Sequence, residues 1–419
     1  MLATWGCTTF PKPTIDLQFA GATSLDNRIT FTRASTATFF NSVGVLTSAA
    51  INEARFDYNP STLAPQGLLI EEARTNGIRN NTMVGAVAGT PGTVPTNWAS
   101  TNIGLTREIV GTGTENGVNY IDIKFSGTTT GQFGNIVFEP NNGVAASASQ
   151  SWTGSAYIKV LAGATTNLSS VGMVLYYFNS TPAFLSTTTA AASVTSTLTR
   201  FTVTATTPAS TAFVQPAFYF TTTAPSGQAI DITLRIGLPQ LEQGAFATSV
   251  IPTTTTALTR SADVASMTGT NFSSWYNASE GTFVAQYLPS AVAASTVPQS
   301  VIHVSDGTVT EQLQLYKRAN VDVSTRYRVD VGGVNSAFLN LGTFTATQTK
   351  AAITYKVNDF VGIKSGGSLV TDTAGGVPAP NKMDIGTELT GLASINGYIQ
   401  RITYYPTRLA DAQLQALTA

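Results

Sequence analysis

The sequence predicts an all-β protein, with jelly-roll or other β-sandwich domains in tandem and one short helix at the C-terminus. Threonine, a β-branched residue that suits strands, is frequent throughout, whereas runs of strong helix formers are scarce. Several segments also alternate apolar and polar residues with a period of two, the pattern of a strand with one buried face. The clearest is 230–238, where apolar side chains alternate with Asp231, Thr233 and Arg235.

Other segments complete the predicted set of elements. Residues 120–125 and 151–160 alternate in the same way, and 29–40 predicts a pair of strands. Residues 68–70 predict a short buried strand. Further strands are predicted around Phe283, Leu313, Tyr327 and Ile353, and from Tyr398 to Tyr405. Ala410 to Leu417 predicts the single helix, with Leu414 and Leu417 one turn apart on its inner face.

A chain of 419 residues is too long for one compact β-domain, and the patterns divide it into three parts. Residues 1–81 form an N-terminal module with few regular elements, residues 82–262 a series of short alternating strands, and residues 263–419 a second sandwich. The threonine-rich segment 251–260 is either a linker between the last two parts or an edge strand.

The charge pattern excludes several classes of partner. Only 11% of the residues are charged, the net charge is -1, and Lys and Arg form no cluster, which argues against nucleic acid and anionic membranes as partners.

No apolar run approaches the ~20 residues of a membrane span. The N-terminus lacks the features of a Sec signal, and Cys7, the only cysteine, cannot form an internal disulfide. We therefore expect assembly in a reducing cytoplasm.

The titratable residues do not form a recognisable catalytic or metal site. The sequence has one histidine, His303, and this count excludes histidine-rich zinc sites. His303 lies in an apolar strand pattern, which disfavours a role in a catalytic triad. Glu71 and Glu72 are adjacent, so in a strand they would point to opposite faces and could not flank one glycosidic bond. We predict no catalytic residue, no cofactor and no metal, although a calcium site assembled from distant loops stays open.

Three aromatic residues are candidates for sugar binding. Trp98, Trp275 and Tyr276 lie in polar, loop-like stretches, and an aromatic ring face can stack on the apolar face of a pyranose. The alternative for each of them is ordinary packing in a core or an interface.

Several motifs resemble those of bacteriophage virion proteins. The stretches ITFTRASTATFF (29–40), RFDY (55–58) and GLLIEEARTN (67–76) resemble the opening module of tail-fibre and other virion proteins. Residues 82–262, with their exit 238–264, are similar to a carbohydrate-binding-module-like jelly roll. The last part resembles a concanavalin A-like (laminin G-like) lectin sandwich, most clearly in its ending, 395–419.

This resemblance implies a function that the composition and spacing do not. It implies a fibre, spike or decoration protein on the virion surface, assembled in the host cytoplasm beside other virion proteins. Such a protein would attach to host-surface polysaccharide or lipopolysaccharide without catalysis, as a homo-oligomer and most often a trimer. The alternative is a purely architectural capsid or tail decoration protein without a receptor, and a polysaccharide depolymerase is disfavoured.

Overall fold

The computed structural model describes residues 10–140, 143–292, 298–318, 322–389, 391 and 393–419. Cys7 lies outside the described residues. The elements up to residue 243 are β1 (Ile15–Gln18), β2 (Thr30–Thr32), β3 (Ala37–Phe40), β4 (Leu46–Ala49), β5 (Phe56–Tyr58), β6 (Pro65–Ile70), β7 (Arg74–Asn76), β8 (Ala99–Thr101), β9 (Thr106–Glu115), β10 (Val118–Thr128), β11 (Phe133–Val137), β12 (Val144–Ala145), β13 (Ser151–Gly163), β14 (Leu168–Phe178), β15 (Phe184–Ala191), β16 (Thr199–Thr206), β17 (Phe213–Thr222) and β18 (Ala229–Gln243).

The remaining elements include the two helices of the described part. They are β19 (Leu258–Arg260), β20 (Val264–Thr268), α1 (Thr270–Ser273), β21 (Glu280–Pro289), β22 (Gln299–Ser305), β23 (Gln312–Lys317), β24 (Ser324–Val331), β25 (Val334–Thr343), β26 (Thr349–Lys356), β27 (Phe360–Lys364), β28 (Val370–Asp372), β29 (Lys382–Ile385), β30 (Gly397–Tyr405) and α2 (Asp411–Thr418). The predicted all-β fold class with its C-terminal helix is confirmed. The single turn α1 is an addition to it.

The described residues fall into two compact units rather than the three predicted parts. Unit 1 contains residues 10–44, 48–73 and 261–419, and unit 2 contains residues 45–47 and 74–260. Most of the predicted N-terminal module therefore belongs to the same unit as the C-terminal sandwich. The reason is physical: its strands are only three to six residues long, and strands this short need neighbours to bury their apolar faces.

Unit 1 contains two antiparallel sheets. One has the order β28-β27-β26-β21-β30-β6-β5, with β1 also pairing with β30. The other has the order β2-β20-β29-β22-β23-β24-β25. β1 and β6 share the same edge of β30, since Ile15 pairs with Tyr404 and Leu69 with Tyr398. The predicted strands within 29–40 exist as β2 and β3, but β2 pairs with β20 rather than with β3.

The core of unit 1 includes Leu68, Phe283, Leu315, Ile353 and Tyr404, all of them buried. The predicted alternation therefore indicates the correct inward faces of these strands. A smaller cluster lies on the opposite face of β26 and β27, where Leu414 of α2 packs near Ala352 and Ile363. Leu414 is fully buried and Leu417 partly buried, as the spacing on the predicted helix requires.

Four charged side chains form a buried network in unit 1, and each flanks a strand end. Arg33 follows β2, Arg55 precedes β5, Glu71 follows β6 and Asp263 precedes β20. The Asp263 carboxylate accepts from Arg33 Nη1 at 3.1 Å and from Arg55 Nη2 at 2.5 Å. Arg55 Nη1 donates to Glu71 Oε2 at 2.9 Å. Two positive and two negative charges are thus matched in the interior, and each has hydrogen bonds that offset the loss of water.

Backbone groups strengthen this network. The Glu71 N–H donates to Asp263 Oδ2 and the Asp263 N–H donates to the Glu71 carbonyl, both at 2.9 Å. Arg33 Nη2 and Arg55 Nη1 donate to the carbonyls of Ala50 and Thr38. Burial lowers the pKa of Arg55, but Asp263 and Glu71 outweigh this effect and hold it above its usual value.

Unit 2 is a sandwich of two antiparallel sheets. Their orders are β16-β13-β18-β10-β9 and β15-β14-β17-β11-β8, with β12 also pairing with β17. Ile121, Ile123 and Phe125 of β10 and the apolar residues of 230–236 in β18 face the shared core, as predicted, whereas Leu238 is buried outside this core cluster. The segment 251–260 is not only a linker, because β19 pairs with β7.

The polar face of β13 is also buried, which simple alternation does not predict. Thr153 and Ser155 are almost inaccessible to solvent. Thr153 Oγ1 donates to the Gly244 carbonyl at 2.8 Å, and Ser155 Oγ accepts from Arg200 Nη2 at 2.9 Å. Hydroxyl groups can be buried at little cost when they are hydrogen-bonded in this way.

Replacing Asp263 should destabilise unit 1 strongly. In Asp263→Asn, the network loses one of its two carboxylates while Arg33 and Arg55 stay buried, and breaking a buried ion pair typically costs about 3–5 kcal/mol. Urea unfolding should show a loss of this size. The control, Asp16→Asn, removes an exposed ion pair with Arg401 in the same unit and should cost about 1 kcal/mol or less. Equal stability of the two variants would contradict the proposed role of the network.

Protonation of Asp57 should make unit 1 more stable at mildly acidic pH than at neutral pH. Burial raises the pKa of Asp57 to about 6, against the opposing effect of hydrogen bonds from the Phe40 N–H and the Tyr398 hydroxyl. In the unfolded chain the pKa is near 3.8, so the folded state binds the proton more tightly. The free energy of unfolding of the wild type, relative to Asp57→Asn, should therefore rise by about 3 kcal/mol at most between about pH 7.5 and about pH 4. Urea unfolding of both proteins over this range measures the difference, and a fall would contradict it.

Candidate functional site

A tight turn after β20 places three aromatic residues at one end of the seven-stranded sheet of unit 1. Gly269 follows β20 with φ of 56° and ψ of -134°, a backbone conformation that favours glycine. The single turn α1 comes next, closed by hydrogen bonds from the N–H groups of Phe272 and Ser273 to the Gly269 carbonyl. Trp275 and Tyr276 follow before β21, so this local structure controls where both rings lie.

The Tyr276 ring is held in an aromatic cluster. It stacks on Phe272 with 4.7 Å between centroids and on Tyr355 with 5.6 Å, and the Tyr404 ring lies 5.8 Å away. Trp275 packs edge-on against Phe272 and Tyr404, both at 5.0 Å. Such packing fixes the position of Tyr276 before any ligand arrives.

Hydroxyl groups in the same cluster form a short chain. Tyr355 lies 2.7 Å from the Tyr404 hydroxyl and donates to the Asn277 carbonyl at 2.5 Å. The Asn277 N–H in turn donates to the Tyr404 hydroxyl at 2.9 Å. Burial raises the pKa of Tyr276, Tyr355 and Tyr404 above the usual value, so these groups stay protonated and neutral.

A cavity of about 540 Å³ opens beside this cluster. The cavity lies beside the C-terminal end of β20 and the N-terminal end of β29. Its walls are apolar at Phe272, Tyr276, Ala278 and Pro380, and polar at Thr268, Ser273 and Asn381, with Gly269 between them. None of these residues carries a charge. The volume falls within the range of small-ligand sites, and a mostly apolar wall with a few hydrogen-bonding groups is typical of them.

The structure separates the three aromatic candidates. Trp98 is buried in unit 2, where its Nε1 donates to the Asn80 carbonyl at 2.8 Å and its ring packs edge-on against Phe138 at 4.8 Å. Trp275 is buried in unit 1, and its Nε1 donates to the Asn271 carbonyl at 2.7 Å. Both therefore take the packing alternative. Tyr276 is partly exposed and lines the cavity.

The polar residues of the cavity were not predicted from the sequence. Thr268 ends β20 and Ser273 ends α1, while Asn381 lies more than 100 residues further along the chain. Thr268 pairs with Lys382, and this register of β20 with β29 brings Asn381 to the cavity. The spacing of the residues in the sequence does not predict that Thr268 and Asn381 meet, because the pairing of strands so far apart leaves no local pattern.

The other titratable candidates lie in structural positions. His303 is fully buried in β22, as its strand pattern predicted, with Nε2 2.9 Å from Gln312 Oε1 and Nδ1 3.4 Å from Asp384 Oδ2. Glu71 and Glu72 follow β6 rather than lying within it. Glu71 is part of the buried network, whereas Glu72 accepts from Asn396 Nδ2 at 3.1 Å.

The described residues contain no group of three or more His, Cys, Asp or Glu side chains placed to hold a metal ion. Neither helix in this part of the chain is long and apolar enough to cross a membrane.

Trp98 should act on stability and not on ligand binding. Trp98→Phe keeps an aromatic ring but leaves the buried Asn80 carbonyl without its donor, so the free energy of unfolding should fall by about 1–3 kcal/mol. Retention on immobilised glycans should stay at the wild-type level. As a control, Phe184→Ala, at an exposed position of unit 2, should change stability by about 0.5 kcal/mol or less. A loss of glycan retention at unchanged stability would contradict the packing role.

Comparison with known proteins reveals only distant likenesses. No protein-family model matches the chain, and no curated protein matches it either. Among solved structures, the chain is similar to the CBM40 of the Ruminococcus gnavus IT-sialidase bound to α2,3 sialyllactose, with 17% identity, a TM-score of 0.30, and coverage of 34% of this chain and 84% of that one. The NanB sialidase of Streptococcus pneumoniae matches with 12% identity and a TM-score of 0.30, over 36% of this chain and 26% of that one. A heptameric SAP-like pentraxin from Limulus polyphemus matches with 9% identity and a TM-score of 0.25, over 33% and 70%.

Proposed function

We propose that this chain is a non-catalytic, glycan-binding surface protein of a bacteriophage particle, and that the cavity beside Tyr276 holds one sugar residue of the glycan. The observation that carries the binding role is the chemistry of the cavity wall. An aromatic ring held in place by its neighbours lies next to two hydroxyl groups and one amide, in a site without charged residues. A pyranose has apolar C–H faces and a rim of hydroxyl groups, and this wall complements both.

The absence of catalysis is part of the proposal. Glycoside hydrolysis requires two carboxyl groups on either side of the scissile bond. The residues that line the cavity include neither Asp nor Glu. Glu71, the buried member of the adjacent glutamate pair, is already bound by Arg55. A site of this composition can hold a sugar but lacks the pair of carboxyl groups that glycoside hydrolysis requires.

The location on a virion rests on the sequence resemblance. The motifs in 29–40, 55–58 and 67–76 support it, and so does the exit segment 238–264. We further propose that the chain assembles as a symmetric homo-oligomer, with a trimer favoured, beside other virion proteins. Weak single sites then combine into firm attachment to host polysaccharide or lipopolysaccharide, because many copies on one particle bind together.

Filling the cavity should abolish its contribution to binding. Ala278→Trp places an indole at the rim of the cavity, and we expect retention on an array of bacterial O-antigen and capsular oligosaccharides to fall about tenfold or more. Asn381→Ala removes one hydrogen-bonding group and should weaken binding about threefold to tenfold. The neighbouring Ser279→Trp is the matched control, since Ser279 is exposed and does not line the cavity.

Three results would each overturn a part of the proposal. If the wild type is not retained by any oligosaccharide of the array, the architectural alternative without a receptor replaces it. If incubation with intact polysaccharide shortens the polysaccharide chains, measured by gel filtration, the chain is a depolymerase. Equal retention of Ala278→Trp and Ser279→Trp would remove the cavity from the binding site.

A further inference from the structure

A second aromatic group lies in unit 2, on the face of the six-stranded sheet that points away from the core. Phe133 of β11, Tyr176 of β14 and Tyr219 of β17 belong to it. On the same three strands Ile136, Leu175 and Phe218, each an odd number of residues away from the ring, face the core instead. With a period of two, the three rings therefore share the outer face. We name these rings, with Asn135, Ser170 and Thr221, the Phe133 patch.

The three rings of the Phe133 patch support one another. Phe133 and Tyr219 are stacked, with 5.7 Å between centroids and 4° between planes, and Phe133 meets Tyr176 edge-on at 6.4 Å. Tyr219 and Tyr176 pack on a small apolar cluster of Val137, Val174 and Ala217. Phe133 lies outermost, with 37% of its surface exposed. The outer face of an antiparallel sheet is normally polar, so an exposed ring on an aromatic base is an unusual feature of this surface.

Polar groups surround the rings and are oriented by hydrogen bonds. Asn135 Nδ2 donates to the Tyr176 hydroxyl at 2.9 Å, so the tyrosine proton remains available to a ligand acceptor. The Tyr219 hydroxyl lies 2.9 Å from Ser170 Oγ, and Thr221 Oγ1 lies 2.8 Å from Ser169 Oγ. Burial raises the pKa of Tyr176 to about 12, so it is a neutral donor at physiological pH.

The composition of the patch selects a class of ligand. All six residues are uncharged, so the surface offers no counter-charge to a sialic or uronic acid. Stacked rings with adjacent hydroxyl and amide groups complement the C–H faces and hydroxyl groups of neutral pyranoses. The patch is spread over three neighbouring strands rather than enclosed, which suits the internal residues of a chain better than a single terminal sugar.

We propose that the Phe133 patch is a second saccharide-binding surface, which takes an extended, uncharged glycan laid across the six-stranded sheet. This site lies in unit 2 and is independent of the cavity beside Tyr276 in unit 1. Each can therefore fail without the other.

The test is affinity electrophoresis of the full chain through gels that contain a neutral glucan, mannan or galactan. Phe133→Ala should weaken retardation about tenfold, because it removes the exposed stacking surface. Phe184→Ala is the matched control, since Phe184 is an exposed phenylalanine on β15 of the same sheet and is outside the patch; it should migrate like the wild type. Ala278→Trp, which fills the cavity, should still be retarded by the patch.

A second variant keeps the test valid if Phe133→Ala affects folding. Tyr176→Phe preserves the ring and removes the donor hydroxyl, so retardation should weaken about threefold while the thermal unfolding temperature stays within a few degrees. Equal mobility of the wild type, Phe133→Ala and Tyr176→Phe would overturn the proposal. Stronger retardation by polygalacturonate than by every neutral polymer would also overturn it, because the ligand would then be charged. The same holds if Phe133→Ala is retarded like the wild type but changes the number of copies of the chain per particle, because the patch would then be a protein contact.

Discussion

The carboxylate of Asp263 is the group on which unit 1 depends. It accepts hydrogen bonds from Arg33 and Arg55, and it also accepts from the backbone of Glu71. These residues come from three separate stretches of the chain, and each flanks a strand end. Buried charges are costly unless they are paired and fully hydrogen-bonded, so the network is stable only when all of its members are in place. It therefore ties the N-terminal strands to the strands that follow residue 263.

The few charged residues of the chain are largely used in this structural way. In unit 2, Arg235 binds Asp122 with Nε and Nη2, both at 2.8 Å, and its guanidinium lies over the Tyr120 ring. Arg79 binds the buried carboxylate of Glu139. Carboxyl groups held in such pairs are bound to arginine, so they are poorly placed to act as general acids. This pairing of carboxyl groups with arginine supports the proposed binding without catalysis.

The two proposed sites would bind a ligand through rings, hydroxyl groups and amides, and they differ in how these groups are arranged. The cavity in unit 1 has a volume of about 540 Å³ and depends on a glycine turn and the single turn α1. The Phe133 patch in unit 2 is spread across the outer face of three strands and depends on their regular alternation. A cavity of this volume suits one sugar residue, whereas the flat patch suits a length of chain, and the lining residues of both are uncharged.

Much of the fold follows from the sequence alone, since strand alternation is a local property of the chain. The inward faces of 120–125 and 230–238 and the C-terminal helix around Leu414 are where the pattern predicts them. Arg33, Arg55, Glu71 and Asp263 lie in the sequence motifs 29–40, 55–58, 67–76 and 238–264, one in each.

The tertiary structure decided what alternation leaves open. A period of two shows which residues share a face, but not which strands pair or what covers the second face. The pairing of β1 and β6 with β30 joins the N-terminal segment to unit 1, over more than 300 residues of sequence separation. Packing likewise buried Trp98 and Trp275, while it left Phe133 exposed on its aromatic base. The sequence alone determined the fold class, because strand alternation is local. The tertiary structure decided where the candidate sites lie, because residues distant in sequence decide whether an aromatic ring is buried in a core or exposed at the surface.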